Sequence, residues 1–213
     1  MLIEKSLKEF AVVTRSSDPT PGGGSVSAYA GTLGAALASM VGGLSFSMKN
    51  YAELPEDVRQ KLEANVKELD VLFEELAETV DNDSKAFDKV MEAFKMPKET
   101  DEDKKARSAA IQEGYKIALE VPFGCAEKCY RVLELQDVFA EYGNINAITD
   151  IGVGVLMAYS GLEGALLNVT INLGSIKDEE YRSNISQKTE KLLNAAKELK
   201  EKHLEVVYRR LNA

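Results

Sequence analysis

Few side chains in this sequence can move a proton or hold a polar ligand, and they fall in a few places. Asp83 is the most conspicuous. Leu62, Val66, Leu69, Phe73, Leu76 and Val80 follow one another at steps of four, three, four, three and four residues, and the same rhythm continues through Asp83, Phe87, Val90 and Phe94. A carboxylate on such a seam is costly unless it is hydrogen-bonded or paired. Asp83 is therefore either a structural salt bridge or cap, or a site residue whose burial tunes its pKa. Asp81, Lys85 and Asp88 are expected on wetter faces. Asp150 opens a second pattern, in which Gly154, Ala158, Gly161, Ala165, Asn168 and Asn172 recur at helical spacing. That narrow face is either a close helix contact with amides bonding across it, or a groove with polar groups aimed inward. The stretch Pro19-Thr20-Pro21-Gly22-Gly23-Gly24-Ser25 is a glycine-rich bend whose backbone N–H groups can turn toward a ligand, with Ser25 expected to cap the helix that follows. Lys49 and Tyr51 form a further polar pair.

These residues suit acid–base chemistry or plain ligand binding. His203 is the only histidine, so no Ser/His/Asp arrangement is available. Cys125 and Cys129 share a helix face but lack the further ligands that zinc requires, and are expected to be packing residues, with no metal. Gly22-Gly23-Gly24-Ser25 is not followed by lysine, so it is not a phosphate-binding Walker loop, and no dinucleotide fingerprint follows a strand.

The elements that must position them are helices, because no alternation of period two persists and strands are not expected. A short helix is predicted over Leu2–Thr14, and a central one over Gly24–Asn50. The central helix carries a bulky stripe (Val26, Tyr29, Leu33, Leu37, Met40, Leu44, Met48) and a small one (Ala28, Gly31, Ala35, Ala38, Gly42), and is expected to be wrapped on both sides. Pro55 begins a long third helix. After the polar connection Met96–Asp101, a helix over 103–120 is expected to kink or break at Pro122, with the cysteines on the next. Gly143-Asn144 closes that one. A second charge-poor helix spans Asn146–Leu173, and 176–213 forms a charged outer helix. The result is an all-α single domain, 1–213, of about seven helices. Its two Gly/Ala-rich central helices lie against each other or against a second subunit.

Composition narrows the partners. With 45% hydrophobic and 29% charged residues the chain is globular. A net charge of −9 without a basic run argues against nucleic acid. Two cysteines and no signal-like start lead us to expect a reducing cytoplasm. The segment from Gly22 to Met48 is rich in Gly, Ser and Ala rather than Leu and Phe, so no membrane span is expected.

Several of these pieces occur together in an order that resembles the cyclodeaminase/cyclohydrolase family. They are Pro19–Ser25, Lys49 with Tyr51, Asp83-Ser84-Lys85-Ala86-Phe87, Val121-Pro122, Gly143-Asn144 with Asn146, Thr149-Asp150-Ile151-Gly152-Val153, and Asn168-Val169 with Ile171-Asn172. The likeness covers nearly the whole chain. Ile151 stands where the family more often has alanine, and Thr149 where serine is usual. The resemblance implies an all-helical homodimer in folate one-carbon metabolism and histidine degradation. Its members bind a reduced folate in a cleft, within one subunit or between two, and close 5-formiminotetrahydrofolate to 5,10-methenyltetrahydrofolate with release of ammonia. The folate is the substrate, no cofactor is implied, and a separate formiminotransferase is a candidate partner. Carried over, Asp83 and Asp150 would be the acid and base in unassigned order. Lys49 and the N–H groups of Gly22, Gly23 and Gly24 would receive the glutamate tail; Asn144, Asn168 and Asn172 would meet the pterin edge; Pro21, Ser25 and Tyr51 would complete the pocket. Two rivals stand beside this: a methenyltetrahydrofolate cyclohydrolase on the same fold, and a non-catalytic helical dimer or ligand-binding protein.

Overall fold

The structure, a computed structural model, describes residues 1–213. Seven α-helices carry the fold: α1 (Leu7–Thr14), α2 (Gly23–Phe46), α3 (Glu56–Phe94), α4 (Asp101–Leu135), α5 (Asp137–Tyr142), α6 (Ile148–Leu173) and α7 (Glu179–Leu211). Local chemistry sets their starts. Ser6 with Glu9 and Thr100 with Asp103 form capping boxes, Asp178 caps α7, and Pro55 precedes α3.

α2 and α6 run antiparallel at the centre. Gly23 lies beside Asn168, Gly31 beside Gly161 and Gly34 beside Ala158. A Cβ on Gly34 would stand 2.8 Å from the Ala158 backbone nitrogen, and one on Gly161 the same distance from that of Gly31. Backbone therefore meets backbone, and the small stripes of both helices are what permit it. α3 flanks α2, α4 bridges α3 and α6, and α7 lies along α6. Both central helices are long and apolar enough to cross a membrane by length and composition alone; here their small faces form the middle of the bundle.

Four expectations need correction. The bulky stripe of α2 is not wrapped. Val26, Leu33, Met40 and Leu44 are exposed, as are Val153, Leu156, Leu167 and Ile171 of α6, because the close approach of small residues takes the inner faces and turns the large ones outward. α1 begins at Leu7 rather than Leu2: the Leu2 and Ile3 N–H groups donate to the Asp81 carboxylate at 2.7 and 3.3 Å. That contact buries Asp81, which sequence periodicity assigned to a wetter face. Finally, α4 runs unbroken through Pro122. Proline has no N–H to offer the carbonyl four residues back, and that carbonyl, Ala118 O, instead accepts from Asn172 Nδ2 at 2.9 Å. α7 is charged outside, yet it seats His203 in the core, with Nε2 2.9 Å from Leu133 O.

Candidate active site

The first turn of α2 is stacked over the middle of α3, and this contact makes the site. Gly22 is the N-cap and offers no side chain, so the free N–H groups of the first turn are left for another partner. That partner is Asp83. A Cβ on Gly24 would fall inside the Asp83 carboxylate, so only glycine lets the acid reach the helix end, where the partial positive charge favours an anion. Ser25 Oγ donates to Asp83 Oδ2 at 3.3 Å and lies 3.2 Å from Ser84 Oγ. Ser25 is thus inside α2, fully buried beneath the acid, and is neither the cap nor part of the cavity wall that the sequence suggested. Burial pushes the Asp83 carboxyl up, against the lowering pull of the Ser25 side chain and backbone; no cation contributes.

A cavity of about 190 Å³ opens over this acid. The glycine bend supplies Pro19, Thr20, Gly22, Gly23 and Gly24; α3 supplies Asp83 and Phe87; α4 supplies Ala118; α6 supplies Asn168, Ile171 and Asn172. Each amide is oriented by a bond to main chain, Asn168 Nδ2 to Gly164 O and Asn172 Nδ2 to Ala118 O, both at 2.9 Å. Pro21 is buried under the bend and does not line the space. Three roomier grooves, about 510 Å³ between α6 and α7, about 340 Å³ between α4 and α7 and about 330 Å³ beside His203, contain neither the bend nor Asp83. Chemistry, not volume, singles out the smaller cavity.

The structure therefore brings together Gly22, Gly23, Gly24, Asp83, Asn168 and Asn172. It does not bring Lys49, Tyr51, Asn144 or Asp150 to them. Asp150 lies in the first turn of α6, 18 residues before Asn168, or roughly 27 Å at 1.5 Å per residue. Asn144 is a cap at that far end. Its N–H donates to Ser45 Oγ at 2.9 Å, its Nδ2 to Leu44 O at 3.3 Å, and its Oδ1 accepts from Asn146 N at 3.0 Å. Tyr51 OH donates to Glu63 Oε1 at 3.1 Å, and Lys49 is exposed. Within one chain these residues stay apart because α2 and α6 are antiparallel: residues early in α2 meet residues late in α6. Phe87 and Ala118 went unassigned in the sequence. The first is one turn beyond Asp83; the second is the residue whose carbonyl Pro122 leaves free.

A class follows from the geometry: an all-helical fold that seats one half-buried, cation-free carboxylate on a helix N-terminus inside an amide-lined cavity, an arrangement able to hold a small polar ligand beside an acid. The family profile described as Formiminotransferase-cyclodeaminase matches residues 6–191. The chain is 41% identical over 208 residues to methenyltetrahydrofolate cyclohydrolase of Methylorubrum extorquens, covering 98% of each. It is 38% identical over 197 residues to formimidoyltransferase-cyclodeaminase of Gallus gallus, covering 92% of this chain but 36% of that protein. The crystal structure of formiminotetrahydrofolate cyclodeaminase from Thermotoga maritima superposes with a TM-score of 0.80 at 28% identity, covering 100% of this chain and 98% of that one. The chain belongs to the formiminotransferase-cyclodeaminase family.

Proposed function

We propose that the protein acts on the one-carbon unit held between N5 and N10 of a reduced folate, with Asp83 as the proton carrier, and that it closes 5-formiminotetrahydrofolate to 5,10-methenyltetrahydrofolate. N10 attacks the amidinium carbon, Asp83 takes the N10 proton, and the tetrahedral carbon expels its exocyclic nitrogen as ammonia once that nitrogen receives the proton. The nucleophile is already tethered, so the protein's task is to hold the near-attack conformer and move the proton. The observation that carries this reading is the half-buried Asp83 seated on the α2 N-terminus within the cavity. A raised pKa suits a group that must both accept and return a proton near neutrality.

A second reading, hydrolytic opening of the methenyl bridge, is favoured by the full-length likeness to the cyclohydrolase. Both reactions pass through a tetrahedral carbon between nitrogens. Purified protein offered the formimino and the methenyl compound separately distinguishes them by gain or loss of the methenyl chromophore. Loss of both reactions in Asp83→Asn, with folding intact, supports the assignment; undiminished turnover there defeats it. The Gallus gallus relative's name joins a formimidoyltransferase to the cyclodeaminase, which supports a formiminotransferase as partner.

The occupant of the bare α2/α6 face is, in this reading, a second copy. Eight side chains about half exposed on two neighbouring helices amount to roughly 600–800 Å² of apolar surface, beyond what monomers usually show and near the ~800 Å² per partner of a standard interface. A dyad perpendicular to the helices would set the Asp83 end of one protomer against the Lys49, Tyr51 and Asp150 end of its partner. The residues scattered within one chain would then meet across two. Sedimentation of the wild type as a monomer at micromolar concentration would rule this out.

A further inference from the structure

We propose that Ser25, oriented by Ser84, is a positioning residue that holds Asp83 in one geometry through both of its protonation states. This rests on the reading of Asp83 as the proton carrier.

The other buried hydroxyls of α2 bond within the helix. Ser27 Oγ donates to Gly23 O at 2.6 Å, Thr32 Oγ1 to Ala28 O at 2.9 Å and Ser45 Oγ to Val41 O at 2.6 Å, each turning back to the carbonyl four residues earlier. That local bond is the ordinary resting place of a helical hydroxyl. Ser25 stands in the first turn, where the residue four back, Pro21, precedes the helix; its fully buried hydroxyl bonds the Asp83 carboxylate, 58 residues away in sequence.

A hydroxyl has one hydrogen to give and two lone pairs. When Ser84 Oγ donates to Ser25 Oγ across their 3.2 Å contact, the Ser25 hydrogen is committed to Asp83 Oδ2. Oδ2 can accept that hydrogen whether the carboxyl is ionised or carries a proton on Oδ1. The bond therefore survives the proton cycle and leaves Oδ1 as the exchanging oxygen. It is the stronger bond when Asp83 is charged, which opposes the upward push of burial. Within one chain, Asp83 is the one titratable group that lines the cavity. The remaining cavity residues from the glycine bend, α3, α4 and α6 are uncharged. On α3, Asp81 is engaged by Leu2 and Ile3, and Lys85 is exposed.

The test is the pH dependence of kcat for the full-length wild type, Ser25→Ala, Ser84→Ala, Ser25→Cys and Asp83→Asn, on whichever folate the wild type turns over. Ser25→Ala is expected to lower kcat about tenfold, keep KM within about twofold, and move the acidic limb to higher pH. Ser84→Ala moves it the same way by less, and Ser25→Cys, with a weaker donor, falls between wild type and Ser25→Ala. A merely structural Ser25 would lower melting temperature and leave the limb in place; that result overturns the proposal. Should Ser25→Ala not fold, the half-buried Ser84 decides, and an unmoved limb in Ser84→Ala is equally fatal. An Asp83→Asn variant with the wild-type profile removes the proton-carrier role and the positioning with it. An inactive Asp83→Asn beside an unmoved Ser25→Ala removes the positioning alone.

Discussion

Where α2 begins and α6 ends, three glycines, a half-buried carboxylate and two amides converge on a cavity. Where α2 ends and α6 begins, a lysine, a tyrosine, an asparagine and a second carboxylate are spread over capping and surface roles. The residue types at the two ends are alike. What separates them is clearance: at the first end a missing Cβ at Gly24 admits Asp83 to the helix terminus, while at the second Asn144 has filled the vacancy at the end of α2 by bonding Leu44 O. At the first end the donors of a helix terminus hold an acid that faces a cavity; at the second the acceptors of a helix terminus are closed by a cap.

The largest expected effect tests the first end. Asp83→Asn should cut turnover on the order of 10²–10⁴-fold. Its effect on melting has a defined sign. A carboxyl whose pKa is raised on folding contributes most stability below its unfolded value, and that contribution is lost as pH rises through the folded one. Near neutral pH the neutral amide therefore melts no lower than the wild type, and a clear fall would return Asp83 to a structural role.

Asp150→Asn measures whether the second end takes part at all. With a crossing dimer it too loses turnover, and an equal mixture of the two inactive variants, unfolded and refolded together, regains about one quarter of wild-type activity through heterodimers that restore one site of two. A mixture no better than its components would confine the chemistry to one chain. Leu33→Glu should shift the protein to monomer by sedimentation, since a charge on an apolar interface is strongly disfavoured.

The two ends of α2 also offer a pair of glycines. Gly24→Ala must displace Asp83, and a shift of about 1 Å can cost roughly 100-fold in turnover. Gly43 has nothing within 4 Å of a Cβ, so Gly43→Ala should stabilise by up to about 1 kcal/mol in a melt, with activity unchanged. Smallest is the cap: Asn144→Ala should cost about 1 kcal/mol and leave turnover intact if that end is purely structural.

Much of this was legible in the sequence. The seam from Leu62 to Phe94 located α3 and put Asp83 on its inner side, and the small stripes identified α2 and α6 as partners. Periodicity could not say which stripe of α2 faces inward, because both are apolar; only backbone contact at Gly34 and Gly161 decides it. Asp81 was misplaced because its partners, the N–H groups of Leu2 and Ile3, are main chain and leave no side-chain signature. Asp83 and Asp150 both break an apolar pattern, yet spacing within a helix carries no information about which end of a neighbour it meets. That depends on the antiparallel sense of the pair.

The bond between Asn172 and Ala118 O, which mends the rung that Pro122 removes from α4, also makes one wall of the cavity adjustable. Elsewhere α4 can bend only by breaking its own ladder, whereas at this level the ladder is held by a side chain from another helix. Were Asn172 Nδ2 to give up this bond, Ala118 O would be left without a donor and the helix would lose its splint at that level.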